Sequence, residues 1–79
     1  MKSLRSFYDQ IGIIIDDLEY IAMTLVEKRD AIEEKASSLG RNMTSKQKEK
    51  YDYLNNEIYD IKNCIKSLNR AGLFLEGYI

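Results

Sequence analysis

Apolar residues recur every seven positions along two long stretches of the chain. In the first, Leu4, Ile11, Leu18, Leu25, Ile32 and Leu39 form one row, and Phe7, Ile14 and Ile21 fill a companion row three residues further on. In the second, Tyr51, Ile58 and Ile65 alternate with Leu54, Ile61, Leu68 and Leu75 in the same three-then-four spacing. Such spacing puts both rows on one face of an α-helix, the pattern of a coiled-coil seam. No proline interrupts either stretch, and the glycines are confined to Gly12, Gly40, Gly72 and Gly77. Good helix formers fill the intervals between them.

The break between the stretches is legible too. Ser38-Leu39-Gly40 places a glycine where a helix end favours a left-handed residue, and Thr44-Ser45-Lys46-Gln47 has the form of a capping box. In that box the Thr44 hydroxyl accepts from the Gln47 backbone N–H while the Gln47 side chain reaches back. The pattern predicts an all-α fold, a two-helix antiparallel hairpin forming one domain over residues 1–79, with helices over about 3–39 and 45–75 and a turn over about 40–44. A link this short joins antiparallel neighbours. Residues whose numbers sum to about 83 then share a height: Ile32 with Tyr51, Leu25 with Ile58, Leu18 with Ile65, Ile11 with Gly72. Gly12 and Gly72 fall at matching heights, where they either let the backbones approach closely or simply weaken their helices.

More apolar surface is present than one partner helix can cover. Tyr8, Ile15 and Ala22 flank the first seam, Ile13 and Val26 widen it, and the second helix ends on the apolar run from Ala71 to Ile79. Lys28 and Lys35 break the companion row towards the turn, where they are read as snorkelling stems over the core edge. The surplus therefore gathers at the open end of the hairpin, and a surface of this kind marks an interface. Pairing of two hairpins into a four-helix bundle is the economical solution. Tyr8, Ile13, Ile15, Phe74, Tyr78 and Ile79 are the expected interface anchors, because aromatic and large aliphatic side chains dominate such contacts.

Composition strengthens the case for association. A chain of 79 residues buries only about 60% of the surface its unfolded form exposes. Disulfides, a structural metal or oligomerisation are the usual remedies. With Cys64 the only cysteine and no histidine, oligomerisation is what remains. Cys64 is expected to pack beside the Ile61 and Ile65 layers as a small hydrophobe. Twelve basic and thirteen acidic side chains nearly cancel, which argues against a polybasic anchor. No apolar run approaches the roughly 18 residues of a membrane span, and Met1 to Arg5 lack the apolar stretch of a signal peptide. The expected location is the cytoplasm.

The inventory for catalysis is thin. Without histidine the commonest general base and metal ligand are missing, Cys64 has no histidine to activate it, and the seams carry no carboxylate for a di-metal centre. No cofactor and no metal are expected. Asp9, Asp16, Asp17 and Glu19 make half of the first helix acidic. Such a stripe could mimic nucleic-acid phosphates or bind a basic partner, or be an ordinary solvated face, and the solvated face is the preferred reading. Arg41, Lys46, Lys48 and Lys50 surround the turn with only Glu49 opposing them, but aromatic interleaving and a recognition module are lacking, so nucleic acid is not the expected partner.

Ile15-Asp16-Asp17-Leu18, then Leu25-Val26-Glu27-Lys28-Arg29, Ile32 and Lys35, loosely resemble the first helix of the all-helical chorismate mutases. That resemblance extends over residues 1–39. It implies an intertwined dimer with arginine and lysine contacts to a dicarboxylate substrate. The family's third helix has no counterpart after Leu75. The leading expectation is instead a small non-enzymatic protein-binding module: a homodimeric regulator or inhibitor of a larger protein. An abundance of Ile, Lys, Asn, Tyr and Glu suits an AT-rich bacterial or phage genome, so the expected setting is a phage or mobile element acting on host machinery such as a defence system. The alternative is a structural, assembly or secretion-partner hairpin that completes a bundle with another helical protein.

Overall fold

The computed structural model describes residues 3–79. Two helices carry nearly all of them: α1, Leu4–Ser38, and α2, Ser45–Glu76. At 35 and 32 residues, each is about 50 Å long. They lie against one another along their length as an antiparallel hairpin, a rod of 56 × 19 × 14 Å.

Each boundary has a local cause. At the start of α1 the Ser3 hydroxyl accepts the Ser6 backbone N–H at 3.2 Å. At its end Gly40 takes φ 65°, which lets its N–H donate to the Ser37 carbonyl at 3.0 Å and the Arg41 N–H donate to the Ala36 carbonyl at 3.2 Å. These two bonds form a Schellman motif, satisfying carbonyls that the helix leaves open. The predicted capping box is present. The Gln47 N–H donates to Thr44 Oγ1 at 3.2 Å and the Thr44 N–H donates to Gln47 Oε1 at 2.9 Å.

Along α2 the seam follows the expected phase, with Leu54 and Ile58 buried and Tyr51, Ile61, Ile65, Leu68 and Leu75 half-buried. In α1 the row of Ile11, Leu18, Leu25 and Ile32 is half-buried as expected, whereas Leu4 and Leu39, at its two ends, are exposed. The companion row differs. Phe7, Ile14 and Ile21 are exposed, and the row that meets α2 comes one residue later: Tyr8, Ile15, Ala22, Arg29 and Ala36. One residue is about 100° around a helix, so α1 is turned towards its flanking row. Ala22 and Ala36 are both buried, and their small side chains let the helices close together. This rotation also brings the Arg29 guanidinium to Asn55, donating from Nη1 to Oδ1 at 3.0 Å, and the Tyr8 hydroxyl to Glu76, donating to Oε1 at 2.6 Å.

Both polar pairs have numbers that sum to 84, within one residue of the expected register. Gly72 is buried at the height of Ile11, and a Cβ added there would stand 4.0 Å from both Ile11 and Tyr8. That is ordinary contact. Gly12 faces open space, so neither glycine is required by a backbone collision. Among the described residues no side chain is fully buried. Two helices enclose a strip of contact between them but cannot surround it.

Candidate functional site

The seam leaves a flank of the hairpin on either side, and the two flanks differ in chemistry. On one, an open cleft of about 580 Å³ brings Gly12 of α1 together with Asn69 and Glu76 of α2. Seven-residue steps from these positions give Arg5, Glu19, Val26 and Glu33 on α1 and Lys48, Asn55 and Lys62 on α2. Polar residues prevail along this flank away from the cleft, but the cleft itself is lined largely by apolar side chains, Ile11, Ile13, Ile15, Leu68 and Leu73.

On the other flank, a groove of about 780 Å³ at the turn end brings Lys28 and Lys35 of α1 together with Lys50 of α2. Stepping by sevens, the α1 row is Phe7, Ile14, Ile21, Lys28, Lys35 and the α2 row is Lys50, Glu57, Cys64, Ala71, Tyr78. In the observed register these rows run side by side. Phe7 shares a level with Tyr78, Ile14 with Ala71, Ile21 with Cys64, Lys28 with Glu57 and Lys35 with Lys50. The open half of the flank is therefore apolar and the closed half basic. Phe7, Ile14 and Ile21 are each nearly half exposed, leaving an apolar stripe about four turns long on the surface.

The expected anchors separate into two groups. Tyr8, Ile13 and Ile15 line the open-end cleft, with Tyr8 and Ile15 also contributing to the seam. Phe74 and Tyr78 pack ring against ring, 5.1 Å between centroids at 49°, on a different part of the open end from the cleft, and both are exposed. Ile79 is exposed beside them in sequence. Sequence reasoning missed Phe7, Ile14 and Ile21 as surface residues because their spacing equals that of a seam. Cys64, expected beside Ile61 and Ile65, is instead exposed, since it stands one position before Ile65 and the phase that puts Ile58 and Leu54 in the seam directs position 64 to the apolar flank.

Electrostatics at the open end centre on the Tyr8–Glu76 pair. The carboxylate accepts the phenol proton in a hydrogen bond and its charge disfavours a neighbouring phenolate, so the Tyr8 pKa is raised above 10.0. Asp9 pairs with Arg5 at 3.5 Å on the exposed face of α1. Asp16 and Glu19 share that side, while Asp17 lies about 100° around the helix from Asp16; all three are exposed. Of the acidic stripe, Asp9 lines the open-end cleft, whereas Asp16, Asp17 and Glu19 do not. Among the described residues no group of cysteine, aspartate and glutamate side chains is arranged to hold a metal ion.

The basic groove has an apolar floor, formed by Leu25, Ile32 and Leu54. Lys28, Lys35, Lys46 and Lys50 stand around it. Arg29, which the chorismate mutase resemblance would group with Lys35, does not line this groove and is directed to Asn55 and Asp30. Neither helix is long and apolar enough to cross a membrane. No family model, curated protein or solved structure matches the chain.

Proposed function

We propose that the chain is a small non-enzymatic protein-binding hairpin that acts as a homodimer and regulates or inhibits a larger protein. The observation that carries this reading is the exposed apolar stripe of Phe7, Ile14 and Ile21, continued on α2 by Cys64, Ala71 and Tyr78. A hairpin with no fully buried side chain among its described residues gains most from covering such a stripe, and a second hairpin supplies a complementary one. The lysines at the turn end oppose a parallel stacking of two hairpins along their whole length, because they would face their own copies. The open halves are where self-association is favourable.

Light scattering over a dilution series tests the reading. The expected mass at micromolar concentration is twice the 9.2 kDa of one chain, falling to one chain in an Ile14→Glu/Ile21→Glu variant that keeps its helicity. A wild-type protein that is monomeric throughout the micromolar range would sink the dimer. The same flank also suits a foreign helical protein, the basis of the assembly-partner alternative, and the lysine groove favours that role for the turn end.

A further inference from the structure

We infer that the lysine-rimmed groove at the turn end is a docking site for an acidic amphipathic helix of a partner protein. This deepens the protein-binding reading above and rests on it. Lys28, Lys35, Lys46 and Lys50 all line the groove, and among the described residues none of them has a carboxylate within ion-pair distance. Elsewhere Arg5, Arg29 and Lys48 pair with Asp9, Asp30 and Asp52, and among the described residues Arg41, Lys62, Lys66 and Arg70 make no ion pair either, so what marks the groove is the clustering of its cations. In a chain of net charge −1, four unpaired ammonium groups around one groove are a marked segregation of charge.

Local stability does not account for the arrangement. Lys46 and Lys50 are four apart on α2, a like-charge pairing that weakens a helix. Lys46, Lys48 and Lys50 also crowd the first turns of α2, whose first turn carries no acidic residue. Basic side chains there oppose the helix dipole, and the positive end of that dipole adds to the field of the lysines. The groove is thus held positive at some expense to the helix that builds it.

Its floor decides between classes of ligand. Leu25, Ile32 and Leu54 offer aliphatic surface between two parallel ridges, which suits the apolar face of a third helix packing into the hairpin. Lysine stems extend that apolar surface and hold their charges at the rim, where glutamates on the flanks of a docked helix would meet them. A nucleic-acid backbone would use the charges and leave the floor unfilled.

The test is fluorescence anisotropy at low salt with the intact hairpin and a labelled helical peptide carrying leucines at i, i+3, i+4 and i+7 and glutamates between. The expected result is saturable binding that a Lys28→Glu/Lys35→Glu/Lys50→Glu variant weakens by about tenfold or more with helicity unchanged, and that same variant should gain affinity for the matching lysine peptide. Polyglutamate of equal charge should bind clearly less well than the amphipathic peptide. The proposal is overturned if the acidic peptide does not bind, if the charge-reversed variant binds it equally, if polyglutamate matches it, or if duplex or single-stranded DNA displaces it at lower concentration. The Ile14→Glu/Ile21→Glu variant separates this inference from the dimer. It should lose self-association and retain the peptide; if it loses the peptide, the apolar stripe rather than the groove is the docking site.

Discussion

Single residues join the two helices at two polar points, and the one at the open end responds to pH. Tyr8 donates to Glu76, and the raised phenol pKa means that the neutral, hydrogen-bonded form is favoured by folding. For a group shifted upward, the stabilising contribution is complete below the unfolded value of 10.0 and disappears as pH rises through the folded value. Carbon-detected NMR of the tyrosine ring carbons is expected to show Tyr8 titrating above the ordinary phenol value of 10.0. In Glu76→Gln, where the charge is gone, its midpoint should fall towards the ordinary value. An unchanged Tyr8 midpoint in that variant would mean that the pair does not form in solution.

At the level of the helices, the rotation of α1 is what separates the interior from the binding face. Ala22→Leu forces a large side chain into the buried row and should destabilise by about 1–3 kcal/mol. Ile21→Ala, one position away on the exposed stripe, should cost less than about 1 kcal/mol below the concentration of self-association. Urea unfolding of the two variants checks the assignment, and the reverse order of effects would place Ile21 in the seam. Much of the hairpin was legible beforehand. Gly40, Thr44 and Gln47 announce the turn through chemistry confined to a few residues, and in α2 the apolar rows have no rival. In α1 two adjacent rows, that of Phe7, Ile14 and Ile21 and that of Tyr8, Ile15 and Ala22, are apolar and share one period. Hydrophobicity favours the bulkier row, while helix approach favours the smaller one, and only the three-dimensional fit of Ala22 and Ala36 decides. The lysine groove was half visible. Lys46 and Lys50 stood out around the turn, but their meeting with Lys28 and Lys35 depends on the register and on which flank each row occupies.

For the whole molecule, the balance is that of a rod with much surface and a thin interior. Chain entropy lost on ordering a small domain is comparable to what its burial returns, so contacts between molecules should weigh heavily in its stability. Circular dichroism melts at increasing concentration are therefore expected to shift upward by about 5 °C per tenfold. The Ile14→Glu/Ile21→Glu variant should melt lower and at one temperature whatever its concentration. A wild-type midpoint independent of concentration would show that the single hairpin is sufficient.

The Arg29–Asn55 and Tyr8–Glu76 pairs have a consequence for alignment. A seam of leucines and isoleucines repeating every seven residues is nearly indifferent to sliding by one repeat, about 10 Å, since each apolar layer would meet another of similar size. The polar pairs remove that indifference. A slip in either direction would take the half-buried Arg29 guanidinium away from Asn55, leaving it Asp30 alone, and would exchange the Tyr8–Glu76 bond for water. They act as two pins set far apart on a ruler whose graduations all look alike. Because they hold α1 and α2 in a single alignment, the apolar stripe and the lysine groove keep a fixed spacing along the rod, and a partner touching both can measure it.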